Sequence, residues 1–484
     1  MSLTEAVGAG AFQLNTEALV ASVIALETRP VTAAEDVKKT LSLKSSALTD
    51  LRSSLSALRS KAQALTQTGA TSPFQAKTVS ASEVTVATAT ASPSAAAAVH
   101  TLSVSQIAKL STVVSKQLLT GTATDVVTAE GAGAKSVKIT YDGTDPAISG
   151  TAIAVNVTLT AGDTNATILA NLAAAINNDS TLGAKVSASI VGDTATTARL
   201  VLSSKLTGLA NKVRAADTTG TLLNTIGLNS EGASVGTGGG FLFADTILDA
   251  TFKLDGLAIT RSSNSVSDVL TGVTINLQGL STSDETLTVS SDKTSMKASI
   301  QAFLDAYNKA LVFVRDRTKV SSVGAASQGV ETEVKGLLAR DITYVSLVSH
   351  LKSDVGSSVS SVVLGNPALL SDVGITADKG GTLSISNTTK FDSAVNTKLS
   401  GLADLFASTN GVATRLITRL DGFVNNDGMI DSTVSATALR TKNIDQQIDR
   451  LKKRLAIRET ALRKQMDKMQ SVLFALSAQR FLYE

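Results

Sequence analysis

Between Thr40 and Gln67 the stretch LSLKSSALTDLRSSLSALRSKAQAL places Leu41, Leu48, Leu55 and Ala62 seven apart, with Leu51, Leu58 and Leu65 three residues after the last three. That spacing puts an apolar stripe along one face of an α-helix, the a/d pattern of a coiled coil, and Gly69 suits its end. A second stripe starts near Asn443, where Ile448, Leu455, Leu462, Met469 and Leu476 repeat at seven, accompanied by Ile444, Leu451 and Val472. Arg458 and Gln465 interrupt the accompanying row while Met466 and Leu473 follow one residue later, the phase shift of a stutter.

Between these ends the period falls to two. Ile153, Val155, Val157 and Leu159 alternate with small or polar residues, as do Val186, Ala188 and Ile190. The same alternation recurs at Leu102 to Val104, Leu200 to Leu202, Phe252 to Leu254, Val273 to Leu277 and Leu287 to Val289, and it predicts strands with one buried face. Helical spacing returns in Ile300, Phe303, Leu304, Tyr307 and Leu311, then in Val334, Leu337, Leu338, Ile342, Val345 and Val348. Stretches rich in Gly, Ser and Thr at 120–136, 232–240 and 321–329, and the turn NNDG at 425–428, separate these blocks as linkers.

The pattern predicts an α+β multidomain chain, with coiled-coil-forming terminal helices and a helical leg domain carrying nested β-rich head domains. The expected division is a flexible N-terminal segment at 1–40 and a helical leg made of 41–72 with 282–430. A β-rich head follows from 73–120 with 237–281, an inserted outer head domain from 121–236, and a C-terminal coiled-coil helix from 431–484. A length of 484 residues agrees with several domains, since one core rarely organises so long a chain. Apolar residues make up 43% but aromatics only 3%, so Ala, Val and Leu must fill the interiors.

Charge and chemistry narrow the function classes. With 44 Lys and Arg against 41 Asp and Glu, the net charge of +3 supplies no basic field for a phosphate backbone, so no nucleic-acid partner is expected. The absence of Cys removes disulfides and thiolate metal sites. No apolar run approaches the roughly 20 residues that cross a bilayer, so membrane insertion is not expected. The first cationic residue is Arg29, so a cleaved Sec signal peptide is not expected either.

His100 and His350 are the two histidines, too few for a histidine-based metal site. Gly232 to Gly236 spell G-x-S-x-G, but without the flanking strand and helix of a nucleophile elbow the match is coincidental. NNDG puts Phe423 and Asn425 where a calcium loop needs its first ligands. The expectation is therefore no enzyme, and no catalytic, metal or cofactor residue. Residues 440–464 hold nine Lys and Arg (Arg440, Lys442, Arg450, Lys452, Lys453, Arg454, Arg458, Arg463, Lys464) against Asp445, Asp449 and Glu459. That run is a solvated helix face or a surface for acidic partner helices.

LNTEALVASVIALETRPV, and ATASPSAAAAVHTLSVSQIAKLSTVVS with Val104, Gln106, Ile107 and Ala108, begin a series of separated stretches. In order they resemble the hook-associated protein 2 family, the filament caps of bacterial flagella, the first resembling the family's opening and the second its entry to the head. FKLDGLAITRSSNSVSDVLTGVTINLQG carries Asp255-Gly256, Ser263-Asn264 and Gly272 to Leu277 at family-like spacing. Phe303, Tyr307 and Asn308 match F-x-x-A-Y-N, and LLSDVGITADKGGTLSISNTTKFDSAV and QQIDRLKKRLAIRETALRKQMDKMQ complete the order. Ala175-Ile176-Asn177 with Leu202-Ser203-Ser204 resemble a small motif shared by flagellins, hook proteins and caps. The ending FALSAQRFLYE departs from the family, with Phe481 and Tyr483 in place of a more polar tail.

The resemblance implies a protein exported unfolded through the flagellar type III channel to the extracellular tip of the filament. There a homo-oligomeric ring, taken as five copies, receives flagellin and promotes its ordered polymerisation, without cofactors. Hook-filament junction proteins and an export chaperone are the other implied partners. Leu48, Leu51, Leu55, Leu58, Ile448, Leu451, Leu455 and Leu462 are the candidate residues for self-assembly and filament docking, unless they pack against one another within one subunit. Asp255, Gly256, Asn264, Gly272, Phe303, Tyr307 and Asn308 are the candidate structural motif. The rival readings are a flagellar-tip adhesin for host mucin or glycans, which is disfavoured because the head has no sugar-stacking aromatic cluster and Phe241 and Phe243 are its only close aromatic pair, and a filament or junction subunit.

Overall fold

The structure, a computed structural model, describes residues 16–121, 125–146, 149–228, 238–319, 336–360 and 362–481. It divides into a helical unit, Met1–Phe74 with Lys293–Glu484, and a β-rich unit, Gln75–Asp292. The longer helices are α1 (Thr16–Thr66), α2 (Asn165–Asn178), α3 (Lys293–Thr318), α4 (Ile342–Gly356), α5 (Thr388–Thr397), α6 (Leu399–Ala407), α7 (Val412–Val424) and α8 (Met429–Phe481). The expected α+β class holds. Every alternating stretch named above is a strand, because each sends one set of side chains into a core.

In the helical unit, Leu48, Leu51, Leu55, Leu58, Ala62 and Leu65 of α1 are fully buried. They share one core with Ile300, Phe303, Leu304 and Tyr307 of α3, Leu405 and Phe406 of α6, and Leu416 and Leu420 of α7. Phe303 stands edge-on to Phe406, with centroids 5.8 Å apart. Burying a leucine side chain contributes roughly 1.5–3 kcal/mol, so each α1 leucine adds substantially to this core. Asp354, nearly buried at the end of α4, is paired with Arg419 of α7, whose Nη2 donates to it at 2.9 Å.

Within the helical unit two expectations are corrected. Residues 16–40 are helical, where a flexible segment is expected: α1 runs unbroken through Pro30 from Thr16, because Val20, Val31, Ala34 and Leu41 bury a stripe spaced too loosely to stand out. The apolar series Val334 to Val348 is not one helix. Val334 lies outside the described residues, and α4 begins only after Asp341, whose side chain accepts the N–H of Thr343 and caps it. The face that α4 buries carries Tyr344, Leu347, Leu351 and Val355, and it leaves Ile342 exposed.

The β-rich unit contains, in chain order, β1 (Lys77–Ala81), β2 (Ala87–Ala91), β3 (Ala98–Gln106), β4 (Leu110–Val114), β5 (Leu118–Leu119), β6 (Gly133–Thr140), β7 (Ile153–Leu159), β8 (Val186–Gly192) and β9 (Thr197–Thr207). It continues with β10 (Arg214–Thr219), β11 (Gly240–Phe241), β12 (Ala250–Leu254), β13 (Leu257–Arg261), β14 (Ser265–Leu270), β15 (Val273–Leu277) and β16 (Glu285–Ser291). An antiparallel sheet β1-β16-β3-β12-β13 and a smaller sheet β14-β15-β2 enclose one core, with Leu102, Phe252, Ile275 and Leu287 at its centre. Because Leu287 and Val289 alternate into this core, β16 belongs to this sheet and not to the helical leg expected from residue 282.

A second core within the unit draws on residues between Val113 and Phe241. Here β10-β6-β7 form one sheet, β4 and β8 flank β9 in another, and α2 buries Ile168, Leu169, Leu172 and Ile176.

Candidate assembly arm

Beyond the helical core, α1 and α8 continue together as an antiparallel pair with no third helix of comparable length beside them among the described residues. A pair of helices shields only one stripe of each. On α1 that stripe includes Val20, Val31 and Ala34; on α8 it includes Ile448 and Leu462, with Ile444, Leu451 and Leu455 half-buried. Ile448 packs directly with Val31 and Ala34. Leu26, Pro30, Leu451 and Leu455 line a groove along the pair, edged by Glu27 and Arg458.

A row of ion pairs follows the register of the arm. Lys38 meets Asp445 at 2.6 Å, Glu35 meets Lys452 at 2.7 Å, Glu27 meets Arg458 at 3.2 Å and Glu17 meets Arg463 at 3.4 Å. Numbers fall along α1 as they rise along α8, which is the antiparallel order. Closer to the core, Arg52 meets Asp431 at 2.6 Å and Arg59 pairs with Asp421. A hydrogen bond and the charge of Asp445 raise the Lys38 ammonium above the ordinary lysine range. Arg463 is raised first by Glu459 one turn away and then by Glu17.

Part of the basic run at 440–464 therefore faces acids of this chain's own N-terminal helix. The sequence shows the acids and the bases but not their pairing: Glu17, Glu27 and Glu35 are spaced ten and eight apart, Arg463, Arg458 and Lys452 five and six. These pairs are half exposed, and exposed pairs contribute about 0–1 kcal/mol each.

The eight candidate docking residues separate into two groups. Leu48, Leu51, Leu55 and Leu58 are sealed inside the helical core and cannot present a surface, which corrects their assignment as a docking seam. Ile448, Leu451, Leu455 and Leu462 lie in the arm, where they hold α1 against α8. The apolar side chains that the arm leaves exposed are others, among them Leu19, Leu26 and Val37 on α1, and Ile457, which is 72% exposed, Val472, Phe474, which is 81% exposed, and Leu476 on α8.

The seven motif residues lie outside the arm and shape the two units. Asp255 and Gly256, with φ of 50° and 81°, form the two-residue turn of the β12–β13 hairpin, where both central positions need the left-handed region. Asp255 also accepts the N–H of Thr101 at 2.9 Å and lies 2.7 Å from His100 Nδ1; these contacts, His100 first, hold its carboxyl below the usual range. At Gly272 a Cβ would stand 2.5 Å from Ser94 Oγ, so only glycine fits the β14–β15 turn. Phe303 and Tyr307 fill the helical core; burial pushes the Tyr307 hydroxyl's pKa up, and it has no hydrogen-bond partner among the described residues. Asn264 and Asn308 each bind a backbone amide and carbonyl through one side chain.

No group of three or more metal-ligating side chains occurs among the described residues, and no described helix is long and apolar enough to cross a membrane. The G-x-S-x-G spelling lies outside the described residues. NNDG is the turn between α7 and α8, closed by Gly428 N–H donating to Asn425 O at 2.9 Å.

Residues 13–111 match the family model described as flagellar hook-associated protein 2 N-terminus, and residues 248–478 match that of its C-terminus. The B-type flagellar hook-associated protein 2 of Pseudomonas aeruginosa is 28% identical, over 89% of this chain and 86% of its own length. The A-type protein of the same species is 26% identical, over 84% and 81%. Among solved structures, the D1-D2-D3 domains of the flagellar cap protein FliD from Escherichia coli share the fold with a TM-score of 0.62 at 24% identity, covering 81% of this chain and 99% of that one.

Proposed function

The chain belongs to the flagellar hook-associated protein 2 family, and on that premise we propose that it is the structural cap at the tip of the bacterial flagellar filament. The observation that carries this reading is the pair of family matches at the two ends, which together take in more than half of the chain. Its work is guided assembly: the cap receives exported flagellin, promotes its ordered addition and prevents its loss.

The finer parts of the proposal rest on the arm. Several copies, taken as five, stand in a closed ring made by heterologous contacts. The apolar residues that α1 and α8 leave exposed pack against neighbouring helices, from another copy or from flagellin, and ordering the arm there draws on the burial that a two-helix pair lacks. Ile448, Leu451, Leu455 and Leu462 hold the arm in the form that docks. Contacts with hook-filament junction proteins and an export chaperone belong to the same reading, as does passage to the cell exterior.

The head's one close aromatic pair adds nothing to the mucin-binding rival, and Phe241 is buried. Lys212 Nζ lies 4.3 Å from the centre of the Phe241 ring and Lys109 Nζ 4.5 Å from that of Phe243, so a lysine sits on each ring where a sugar would stack.

A strain lacking the gene, with complementation, tests the proposal through the state of its flagellin. Monomeric flagellin in the medium and missing filaments are expected. Filaments of normal length and number would overturn capping.

A further inference from the structure

A carboxamide sets an acceptor and a donor side by side, so an asparagine side chain can pair with a backbone carbonyl and N–H as a neighbouring strand would. Among the described residues three asparagines do this. Asn177 Nδ2 donates to Ala188 O at 2.7 Å while its Oδ1 accepts the Ala188 N–H at 2.9 Å. Asn308 makes the same two bonds with Leu383, both at 2.7 Å. Asn264 makes them with Ala108 at 2.9 and 2.7 Å. All three stand in motifs singled out in the sequence, and the clasp gives those positions a common physical reason.

The clasp at Asn177 has a particular place. Among the described strands β8 pairs only with β9, in an unbroken register from Val186 opposite Ser204 to Gly192 opposite Ala198. In such a ladder alternate residues turn their backbone groups away from the partner strand. Ala188, opposite Leu202, gives its N–H and C=O to Asn177, so these groups face the free edge. The N–H of Val186 is taken by Leu182 O. The open part of the edge shrinks to Ile190–Gly192, shorter than strands that pair stably.

Without the clasp, VSASIVG would be a seven-residue edge with no charge, proline or bulge, and with Ile190 and Val191 41% and 47% exposed. Those are the properties of an edge that adds strands from other chains. At Gly183 a Cβ would lie 2.3 Å from Asn177 O, so the chain after α2 closes tightly on the clasp.

We infer that Asn177 is an edge plug, which occupies the free hydrogen-bonding edge of β8 and prevents a second copy of this chain from adding to the sheet there. The inference does not depend on where the protein works. Asn264 supplies the internal control, because Ala108 lies between β3 and β4 and outside any strand.

Hydrogen exchange and infrared spectroscopy on the full chain test it. In the unmodified protein the Ala188 amide exchanges about tenfold or more slowly than the Ile190 amide, and Asn177→Ala abolishes the difference. At raised concentration Asn177→Ala shows a several-fold stronger infrared band of intermolecular strands, which a further Ile190→Lys suppresses. Asn264→Ala lowers the melting temperature without that band. Equal exchange at Ala188 and Ile190 in the unmodified protein would overturn the plug, and so would equal bands in the two alanine variants. If Asn177→Ala does not fold, the exchange rates of the unmodified protein decide.

Discussion

The two halves of α1 both turn an apolar stripe inward, sparse in the first and dense in the second, and lead different lives. From Leu48 to Leu65 the stripe is enclosed by α3, α6 and α7, and every leucine in it is fully buried. From Val20 to Leu41 the helix has α8 for company, a small cluster of Val31, Ala34 and Ile448, and a row of half-exposed ion pairs. The difference teaches that apolar content alone does not set the strength of a helix; the number of elements that close over it does. One continuous helix thus joins a rigid core to an arm with apolar surface still exposed.

The sharpest test of that contrast is Leu55→Asp. A carboxylate at a fully buried position with no partner costs more than about 4 kcal/mol, so the helical unit should lose its protease resistance. Retention of a cooperative helical unit in that variant would mean that the core tolerates α1 leaving it. A smaller and local effect is expected of Ile448→Ala: about 2 kcal/mol of arm pairing is lost, seen as faster hydrogen exchange in 20–40 and 440–465 with the core rates unchanged. A fall in core protection instead would show that arm and core form one cooperative unit.

The least effect belongs to the charges. Glu27→Arg or Arg458→Glu alone should weaken the arm by about 0.2–1 kcal/mol, the double exchange should restore it, and both differences should fade in 1 M salt. A double variant no better than either single one would show that the pair does not set the register.

Much of the fold was legible because local spacing reports which face a residue turns inward. Strands such as Ile153–Leu159 and helices such as Lys293–Thr318 appear where the period predicts them. The start of α1 was not legible, since its buried positions are few and include Ala34, and Pro30 interrupts the stretch. The break before α4 was hidden because Ile342 and Val345 continue an apolar spacing that the capped helix does not bury. The motif asparagines were visible as motif members, yet their roles depend on Ala188, Ala108 and Leu383, which are 11, 156 and 75 residues away.

The sequence by itself determined that the chain has amphipathic helices at both ends, strands between them and the motifs of its family. Only the tertiary structure decided that the α1 leucines face an internal core, that the acids of the first helix meet the bases of the last, and that Asn177 sits on a strand edge. Periodicity encodes the direction of a side chain relative to its own backbone, a local property. The surface it meets is chosen by chain segments hundreds of residues away, and that choice exists only once they have packed.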